Sequence, residues 1–279
     1  MADTAFKTQY REEFIAGYEQ KQSLLRNTVT TESVINGNKA TFLVADTGDA
    51  EAVTRGINGL IPTRSDNLNQ YEAELKEWHD KVRRTNFNIF GSQGKGRMIM
   101  QQGVMKVLNR KVDKDIIAAL QTFTNDTGAA RTASLKLVLH AKTILGNNDV
   151  DVEEEDKMFA AITPAFDAWM LQVPEYSRAD YVDIKPLTGP ARKFRRFAGF
   201  NFIIHSRLPN VGTNNEQCFF YHKDSIGHAI DAAGMDVKAG ENEEEAYFWS
   251  RASINMGSKK LQNEGGVIVP HDGSGFAAT

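Results

Sequence analysis

The clearest pattern in the chain is a helical repeat of apolar residues in its middle. From Met98 to Ala119, apolar side chains recur at intervals of three or four residues, and only Gly103 lowers helix propensity. This spacing predicts a helix of more than twenty residues that begins near Arg97. A second, shorter helix is predicted for residues 132–145, where Leu and Val follow the same spacing.

The N-terminal segment has a different pattern, in which aromatic residues recur every four positions among charged neighbours. In a helix, such residues form one narrow stripe on an otherwise polar surface. A stripe of this kind needs another surface to cover it, either from the core of the same chain or from a neighbouring molecule. The four residues are Phe6, Tyr10, Phe14 and Tyr18.

Extended structure is predicted between these two segments. Residues 28–48 are rich in Thr and Val and are interrupted by turn residues at 36–38. Residues 50–69 contain Gly, Pro and other turn residues and few apolar anchors, so they are predicted to project as a loop or hairpin. The charged segment that follows carries one large anchor, Trp78.

The second half of the chain alternates between short helices and strands. A short helix is predicted between Pro164 and Pro174, and another for residues 223–235. Strands are predicted for 198–209, 217–222, 244–257 and 265–272. A few long helices with many dispersed strands, and no regular βαβ alternation, indicate an α+β fold.

Composition and charge argue against nucleic-acid-binding, membrane-spanning and disulfide-bonded classes of protein. The chain has 279 residues and a formal charge of −3, so no overall basic field attracts nucleic acid, and it contains no long apolar run that predicts a membrane span. The N-terminus is polar, and we expect a cytoplasm-like compartment. The one cysteine, Cys218, excludes an internal disulfide and is predicted to be a buried, inert thiol.

The sequence GSQGKGRMIM, residues 91–100, resembles a phosphate-binding loop at first sight. Such a loop needs a Ser or Thr directly after its Gly-Lys pair to hold magnesium, and here Gly96 follows Lys95. The glycines are therefore interpreted as a joint that leads into the long helix.

Other candidate chemistry is equally sparse. The six histidines form no metal-ligand pair, and no nucleophile motif is present, so we predict no catalytic residue, no cofactor and no metal. The acidic run at 149–156 is interpreted as a solvated turn, because it lacks the order of a calcium loop. A basic group of four residues lies at 192–196. We expect it to pair with the acidic turn of another subunit or to be solvated, rather than to bind nucleic acid. Its members are Arg192, Lys193, Arg195 and Arg196.

Two segments and the order of parts resemble the major capsid proteins of tailed bacteriophages, which share the HK97-type fold. Residues 110–120, RKVDKDIIAAL, resemble the family's D-x-x-I-I-x-A-L segment in the spine helix. Residues 196–209, RFAGFNFIIHSRLP, resemble the GF-x-I-x-x-S-x-x-L-P segment of its axial domain. The likeness extends over nearly the whole chain.

The resemblance implies a domain plan and an assembly. The plan has an N-terminal arm at 1–38, an extended loop at 39–85, a peripheral domain with the spine helix at 86–148, an axial domain at 149–245, and late strands at 246–279 that return to the peripheral domain. Many copies would form the pentamers and hexamers of an icosahedral shell around double-stranded DNA on its inner face. The implied partners are other copies of the chain, a portal, a separate scaffolding protein and a possible decoration protein, with no membrane. The implied location is the virion, after assembly in the host cytoplasm.

Specific inter-subunit contacts follow from this plan. The aromatic residues Phe6, Tyr10, Phe14 and Tyr18 are expected to anchor the arm on neighbouring surfaces. The loop is expected to make polar contacts through Arg55, Arg64 and Asp66. Some family members lock the shell by an isopeptide bond from a lysine of the extended loop; here the loop proper, residues 41–71, contains no lysine, so non-covalent assembly is expected.

Two other classes stay open at this point. An encapsulin-type nanocompartment shell would share the fold and would differ in what the particle contains. An ordinary α+β enzyme would instead show a concave pocket with converging polar groups.

Overall fold

The computed structural model describes residues 22–34, 37–46, 50–61, 63, 67–85, 96–177 and 195–276. The chain divides into two compact units. The first contains Glu77–Lys111 and Ala233–Asn255, and the second contains Leu24–Lys76, Val112–Ala232 and Met256–Thr279.

The described part of the chain contains four α-helices. Helix α1 (Gly96–Leu120) confirms the long helix of the sequence analysis, and its residues up to Lys111 belong to the first unit. Helix α2 (Leu135–Asn147) begins where the Ser134 hydroxyl accepts the backbone N–H of Leu137. Helix α3 (Pro164–Met170) has Thr163 as its N-cap and proline in its first turn, and α4 (Pro174–Ser177) is one turn long.

Twelve strands lie in the described residues, and most of the predicted extended segments are among them. They are β1 (Thr30–Val34), β2 (Lys39–Asp46), β3 (Asn67–Glu74), β4 (Lys76–Thr85), β5 (Met158–Ile162), β6 (Arg195–Phe197), β7 (Phe200–Ile204), β8 (Glu216–His222), β9 (Ile226–Asp231), β10 (Asp236–Asn242), β11 (Tyr247–Lys260) and β12 (Gly266–His271).

The first unit contains an antiparallel pair, β10 with the N-terminal part of β11, and β4 also pairs with β11. Along β11, Ser250, Ala252 and Ile254 are buried and alternate with partly exposed residues. One face of these strands is therefore covered, and the other is open to solvent.

The second unit holds the main core. A five-stranded sheet in the order β12-β8-β5-β7-β6 packs against α2 and α3. Its central strand β5 is buried along its whole length, and the rings of Phe200 and Phe220 meet edge to face at 5.0 Å. In the same unit, β1 pairs in parallel with β9, and β9 pairs with the last residues of β11.

The prediction of a helix at residues 223–235 is wrong. Residues Lys223–Ser225 form one 3-10 turn, and β9 follows directly. The apolar positions Ile226, Ala229 and Ile230 are also spaced as in a helix, but β9 is buried along nearly its whole length between β1 and β11. A strand that is covered on both faces shows no alternation of polar and apolar residues, so local periodicity misleads there.

Candidate interaction surfaces

The residues predicted to contact other subunits are mostly outside the described part of the chain. Arg55 alone is described, and it is exposed in the loop after β2. The predicted arm residues Phe6, Tyr10, Phe14 and Tyr18 and the predicted loop residues Arg64 and Asp66 lie outside the described residues. The structure therefore places one of the seven.

The loop around Arg55 presents apolar side chains to solvent. Every residue from 50 to 61 is exposed. The loop is shaped locally, since the Gly56 N–H donates to the Leu60 carbonyl at 3.1 Å and the Gly59 N–H donates to the Gly56 carbonyl at 2.9 Å. Gly59 has φ of +70°, a conformation that favours glycine. The exposed apolar residues of the loop are Val53, Ile57, Leu60 and Ile61.

The antiparallel hairpin of β2 and β3 carries this loop and has two unlike faces. On the inner face, Ala40, Phe42 and Ala73 are buried against Ala229 and Leu261. On the outer face, the pairing places Leu43 opposite Gln70 and Leu68 opposite Ala45. Leu43 and Leu68 are 72% and 70% exposed, and they are diagonal neighbours on one surface.

Two glycines let the hairpin approach the strands beneath it. A Cβ on Gly227 would lie 2.8 Å from the ring of Phe42, and a Cβ on Gly257 would overlap the backbone carbonyl oxygen of Glu74. The base of the hairpin is thus held by close backbone packing within the second unit, while its outer face and loop stay uncovered.

The open face of the strands in the first unit combines cations with aromatic rings. Lys81 Nζ lies 5.4 Å from the ring centre of Trp249, and the Arg83 guanidinium lies 5.0 Å from that of Tyr247. The Trp249 ring covers Gly240, where a Cβ would approach it within 2.8 Å. This surface was not predicted from the sequence. The available signal was the alternation of charged residues along β4, whose exposed positions point to one side.

The buried polar groups of the second unit are structural. The Asp113 carboxylate accepts the backbone N–H groups of Leu24 and Leu25, each at 3.2 Å. His205 Nδ1 accepts the N–H of Arg207 at 3.1 Å, so its hydrogen is on Nε2, which faces Asp113 Oδ2 at 3.3 Å. An imidazole that is occupied on both nitrogens in this way has no nitrogen left to activate a nucleophile.

A second buried carboxylate, Glu216, has a similar role. It accepts the Gly212 N–H at 2.7 Å and the hydroxyl hydrogen of Thr163. The Thr163 oxygen in turn caps α3. Beside it, Cys218 is completely buried, which confirms its predicted burial, and this burial raises the pKa of its thiol to about 12.

The acidic run at 149–156 is balanced by cations of its own chain. Arg196 lies 3.7 Å from Glu155, hydrogen-bonds to Asp156, and donates to the Asn201 amide oxygen at 3.0 Å. The basic group was predicted to pair with the acidic turn of another subunit or to be solvated; Arg196 instead pairs with the acidic turn of its own chain. Arg192 and Lys193 lie outside the described residues, and Arg195 begins β6.

The described ranges hold neither a cluster of metal-ligand side chains nor a helix that could span a membrane. Within them, no group of three or more His, Cys, Asp or Glu side chains is arranged to hold a metal ion. None of the helices described is long and apolar enough to span a membrane.

Comparison with known proteins identifies what this architecture is similar to. The profile of the family described as "Phage capsid protein" matches residues 2–272. No curated protein sequence matches the chain at a significant level.

The solved structures that are similar include a protein of Mycobacterium phage Che8, with a TM-score of 0.74, 13% identity, and coverage of 96% of this chain and 98% of that one. The capsid of the cyanophage P-SCSP1u gives a TM-score of 0.72 at 12% identity, covering 96% of this chain and 93% of that one. The capsid of the native GTA particle gives 0.69 at 13% identity, covering 96% of each chain. At these identities the likeness establishes the fold, which is of the HK97 type.

Proposed function

The chain belongs to the phage capsid protein family, and from this premise we propose that it assembles as pentamers and hexamers into an icosahedral bacteriophage head that encloses double-stranded DNA. Its role is structural and non-enzymatic, and its place is the capsid of the virion, built from many copies of the chain.

The observation that carries the proposal is the uncovered apolar surface of the hairpin and its loop. Val53, Ile57, Leu60 and Ile61 are all exposed in the subunit. Burying one such side chain completely contributes roughly 1.5–3 kcal/mol. A projecting loop that exposes four of them gains stability from a neighbouring subunit that covers it.

The domain plan that goes with this function is part of the proposal. We assign the arm to 1–38, the extended loop to 39–85, the peripheral domain to 86–148, the axial domain to 149–245 and the returning late strands to 246–279. The loop assignment is supported by the hairpin of β2 and β3, whose connecting loop is exposed at every residue from 50 to 61.

The proposed contacts between subunits come from the arm and the loop. Phe6, Tyr10, Phe14 and Tyr18 supply apolar anchors by their four-residue spacing. Arg55, Arg64 and Asp66 supply charges that select the register of the loop on its neighbour. The exposure of Arg55 supports its part in this scheme.

The shell is proposed to be held without covalent cross-links, because the loop proper, residues 41–71 of the 39–85 segment, contains no lysine to form an isopeptide bond. Boiled particles run on a denaturing gel are expected to give one band near 31.1 kDa. A ladder of larger bands that survives boiling and reduction would contradict this.

Other partners follow from the proposed function. They are a portal, a separate scaffolding protein that directs assembly in the host cytoplasm, packaged DNA at the inner face, and a possible decoration protein.

Negative-stain electron microscopy of the purified chain, with size-exclusion chromatography, tests the proposal. Closed shells or rings of capsomer size, from the chain alone or with its scaffolding protein, are the expected result. A uniform small species that stays unassembled with the scaffolding protein present would overturn the proposal. Shells that hold a cargo protein and no DNA would indicate a nanocompartment.

A further inference from the structure

The strands of the first unit have one covered face and one open face. Helix α1 contributes to the covered face, where the Arg97 guanidinium lies 4.1 Å from the ring centre of Phe248 and Lys111 Nζ lies 3.6 Å from that of Trp78. Successive side chains of a strand point to opposite faces. The residues that alternate with Phe248 along β11 therefore belong to the open face.

Two cations of the open face are held over aromatic rings. Lys81 Nζ lies over Trp249 and the Arg83 guanidinium lies over Tyr247, and both cations are exposed. A cation that already rests on a ring loses less conformational freedom when a partner binds it. We call this open side of β4, β10 and β11 the cation face.

The other two cations of this face are already balanced. Lys238 and Arg251 lie opposite each other in the pairing of β10 with β11, and both reach Asp236, at 3.0 Å and 3.8 Å. No carboxylate in the described part of the chain pairs with Lys81 or Arg83. Two exposed positive charges are thus left without a counter-charge in the subunit.

The turn between β10 and β11 carries the opposite charge. The pairing of the strands extends to Asn242, and residues 243–246 lie beyond it and are all exposed. The Asn242 amide oxygen accepts the N–H groups of Glu244 at 3.0 Å and Glu245 at 3.2 Å, which gives the turn a defined shape. Residues 243–245, all glutamate, form the acidic tip, and no cation among the described residues pairs with them.

We propose that the acidic tip of one copy docks on the cation face of a second copy in the shell, with its carboxylates against Lys81 and Arg83. This inference rests on the proposed shell function and names one contact within it. The tip and the face are different parts of the subunit, so the contact is head to tail. A head-to-tail contact that is repeated by rotation closes into a ring of copies.

Double-stranded DNA is the competing partner for a basic face, and the charges disfavour it. Duplex DNA carries one negative charge per about 1.7 Å of its length, whereas two cations of this face lack a counter-charge. The carboxylates of Glu77 and Asp236 lie on the same side of the strands and repel phosphates. A compact turn with three carboxylates matches two fixed cations more closely than a long polyanion does.

Zero-length cross-linking of the native chain tests this contact. A carbodiimide joins a lysine amine to a carboxylate through an amide bond when the two groups are in contact. Equal amounts of unlabelled and isotope-labelled subunits are assembled together, with the scaffolding protein present, and then treated. The expected product joins Lys81 of one isotope to the acidic tip of the other. Its yield should be at least fivefold above that of Lys136, an exposed lysine of α2 that serves as the control.

Charge reversal provides a second test that does not depend on chemical reactivity. The face variant is Lys81→Glu with Arg83→Glu, and the tip variant is Glu244→Lys with Glu245→Lys. Each variant alone places like charges across the contact, so we expect the yield of shells to fall at least tenfold. The chain with all four substitutions is expected to regain shells, because the charges are exchanged rather than lost.

A control variant and the remaining outcomes separate the possible explanations. Lys114→Glu with Lys136→Glu makes the same change in net charge at exposed positions elsewhere and should assemble normally. The cross-link on the native chain decides the question where a reversed variant does not fold.

Shells that form without the cross-link between isotopes would overturn the contact and leave the proposed function standing. Normal shells from the face variant that no longer hold DNA would assign the cation face to DNA instead. An unmodified chain that stays unassembled with its scaffolding protein would overturn the proposed function, and this contact with it.

Discussion

The Asp113 carboxylate joins segments that are far apart in sequence. It accepts the N–H groups of Leu24 and Leu25 and faces His205 Nε2; Asp113, Leu25 and His205 have almost no solvent exposure, and Leu24 is partly buried. Replacing it with alanine leaves these donors unpaired in the interior, which costs roughly 1–3 kcal/mol for each group that water does not reach. We expect Asp113→Ala to lower the free energy of unfolding by about 3 kcal/mol, measured by urea denaturation of the unassembled subunit.

A surface carboxylate provides the control for that measurement. Glu32 is exposed in β1, and Glu32→Ala is expected to change the free energy of unfolding by less than about 0.5 kcal/mol. Equal effects of the two substitutions would contradict the role given to Asp113.

His228 makes the stability of the subunit depend on pH. Burial, and to a lesser extent the charge of Arg26, lower its pKa from 6.5 to about 4. Between these values the unfolded chain binds a proton that the folded chain does not, so stability is complete above pH 6.5 and falls as the pH drops toward 4. We expect the His228→Gln variant to lose about 2 kcal/mol less than the unmodified subunit between pH 7 and pH 5.

Urea denaturation at the two pH values checks this, with His140→Gln as the control because His140 is exposed. The comparison uses the change with pH in each variant, since glutamine itself alters packing at a buried position. Burial also lowers the pKa of His271, so part of the pH dependence is expected to remain in the His228 variant. Parallel curves for all three proteins would disprove the assignment to His228.

Residue-scale sequence reasoning succeeded where the environment of a side chain follows from its neighbours. The burial of Cys218 was predictable because QCFFYH is an apolar strand. The contacts of Asp113 were not, because its donors are 88 and 89 positions away and belong to the backbone. Every residue except proline has a backbone N–H, so no sequence pattern identifies which of these groups binds the Asp113 carboxylate.

Among the secondary-structure elements, those with a long local signal were predicted best. Helix α1 was predicted nearly residue by residue, since many turns repeat the same spacing. Strand β9 was misread as a helix because its character comes from distant partners, β1 and β11. Strand β5 received no prediction, and its burial on both faces explains why it shows no alternation.

The same substitution at two glycines should have opposite effects on the elements that contain them. A Cβ on Gly257 in β11 would overlap the backbone of Glu74 at the base of the β2–β3 hairpin, so Gly257→Ala should destabilise the subunit by about 1–3 kcal/mol. A Cβ on Gly103 in α1 would meet nothing within 4 Å, and Gly103→Ala should stabilise it by roughly 0.5–1 kcal/mol.

Urea denaturation of both variants measures whether each substitution raises or lowers the free energy of unfolding. Limited proteolysis of the loop after β2 measures how accessible that loop becomes. Faster cleavage within residues 50–61 is expected for Gly257→Ala alone, because the base of the hairpin is displaced. Equal destabilisation by both substitutions would show that the close approach to Glu74 does not determine the effect.

At the scale of the whole molecule, the packed cores contrast with the projecting loop at 50–61, which no part of the described subunit covers. The buried side chains around the β12-β8-β5-β7-β6 sheet form one core cluster, whereas the loop at 50–61 makes only local hydrogen bonds. A fold-level resemblance could be predicted from the order of these parts. The surfaces that join copies could not be located residue by residue, because the sequence of one chain does not record which groups meet across a symmetry axis.

The apolar side chains of the loop should therefore affect assembly without affecting the subunit. Ile57 and Leu60 are exposed in the isolated chain, so replacing both with serine removes no internal contact and should leave the free energy of unfolding within about 0.5 kcal/mol. In the shell, the same change removes roughly 3–6 kcal/mol of burial per subunit if a neighbour covers both side chains.

The Asn58→Ser substitution, which alters an exposed polar residue of the same loop, is the control. Sedimentation and electron microscopy should show shells for the control and unassembled subunits for the double variant. Shells of normal yield and urea resistance from the double variant would mean that the loop stays uncovered after assembly, and the arm would then have to supply the apolar contacts between copies.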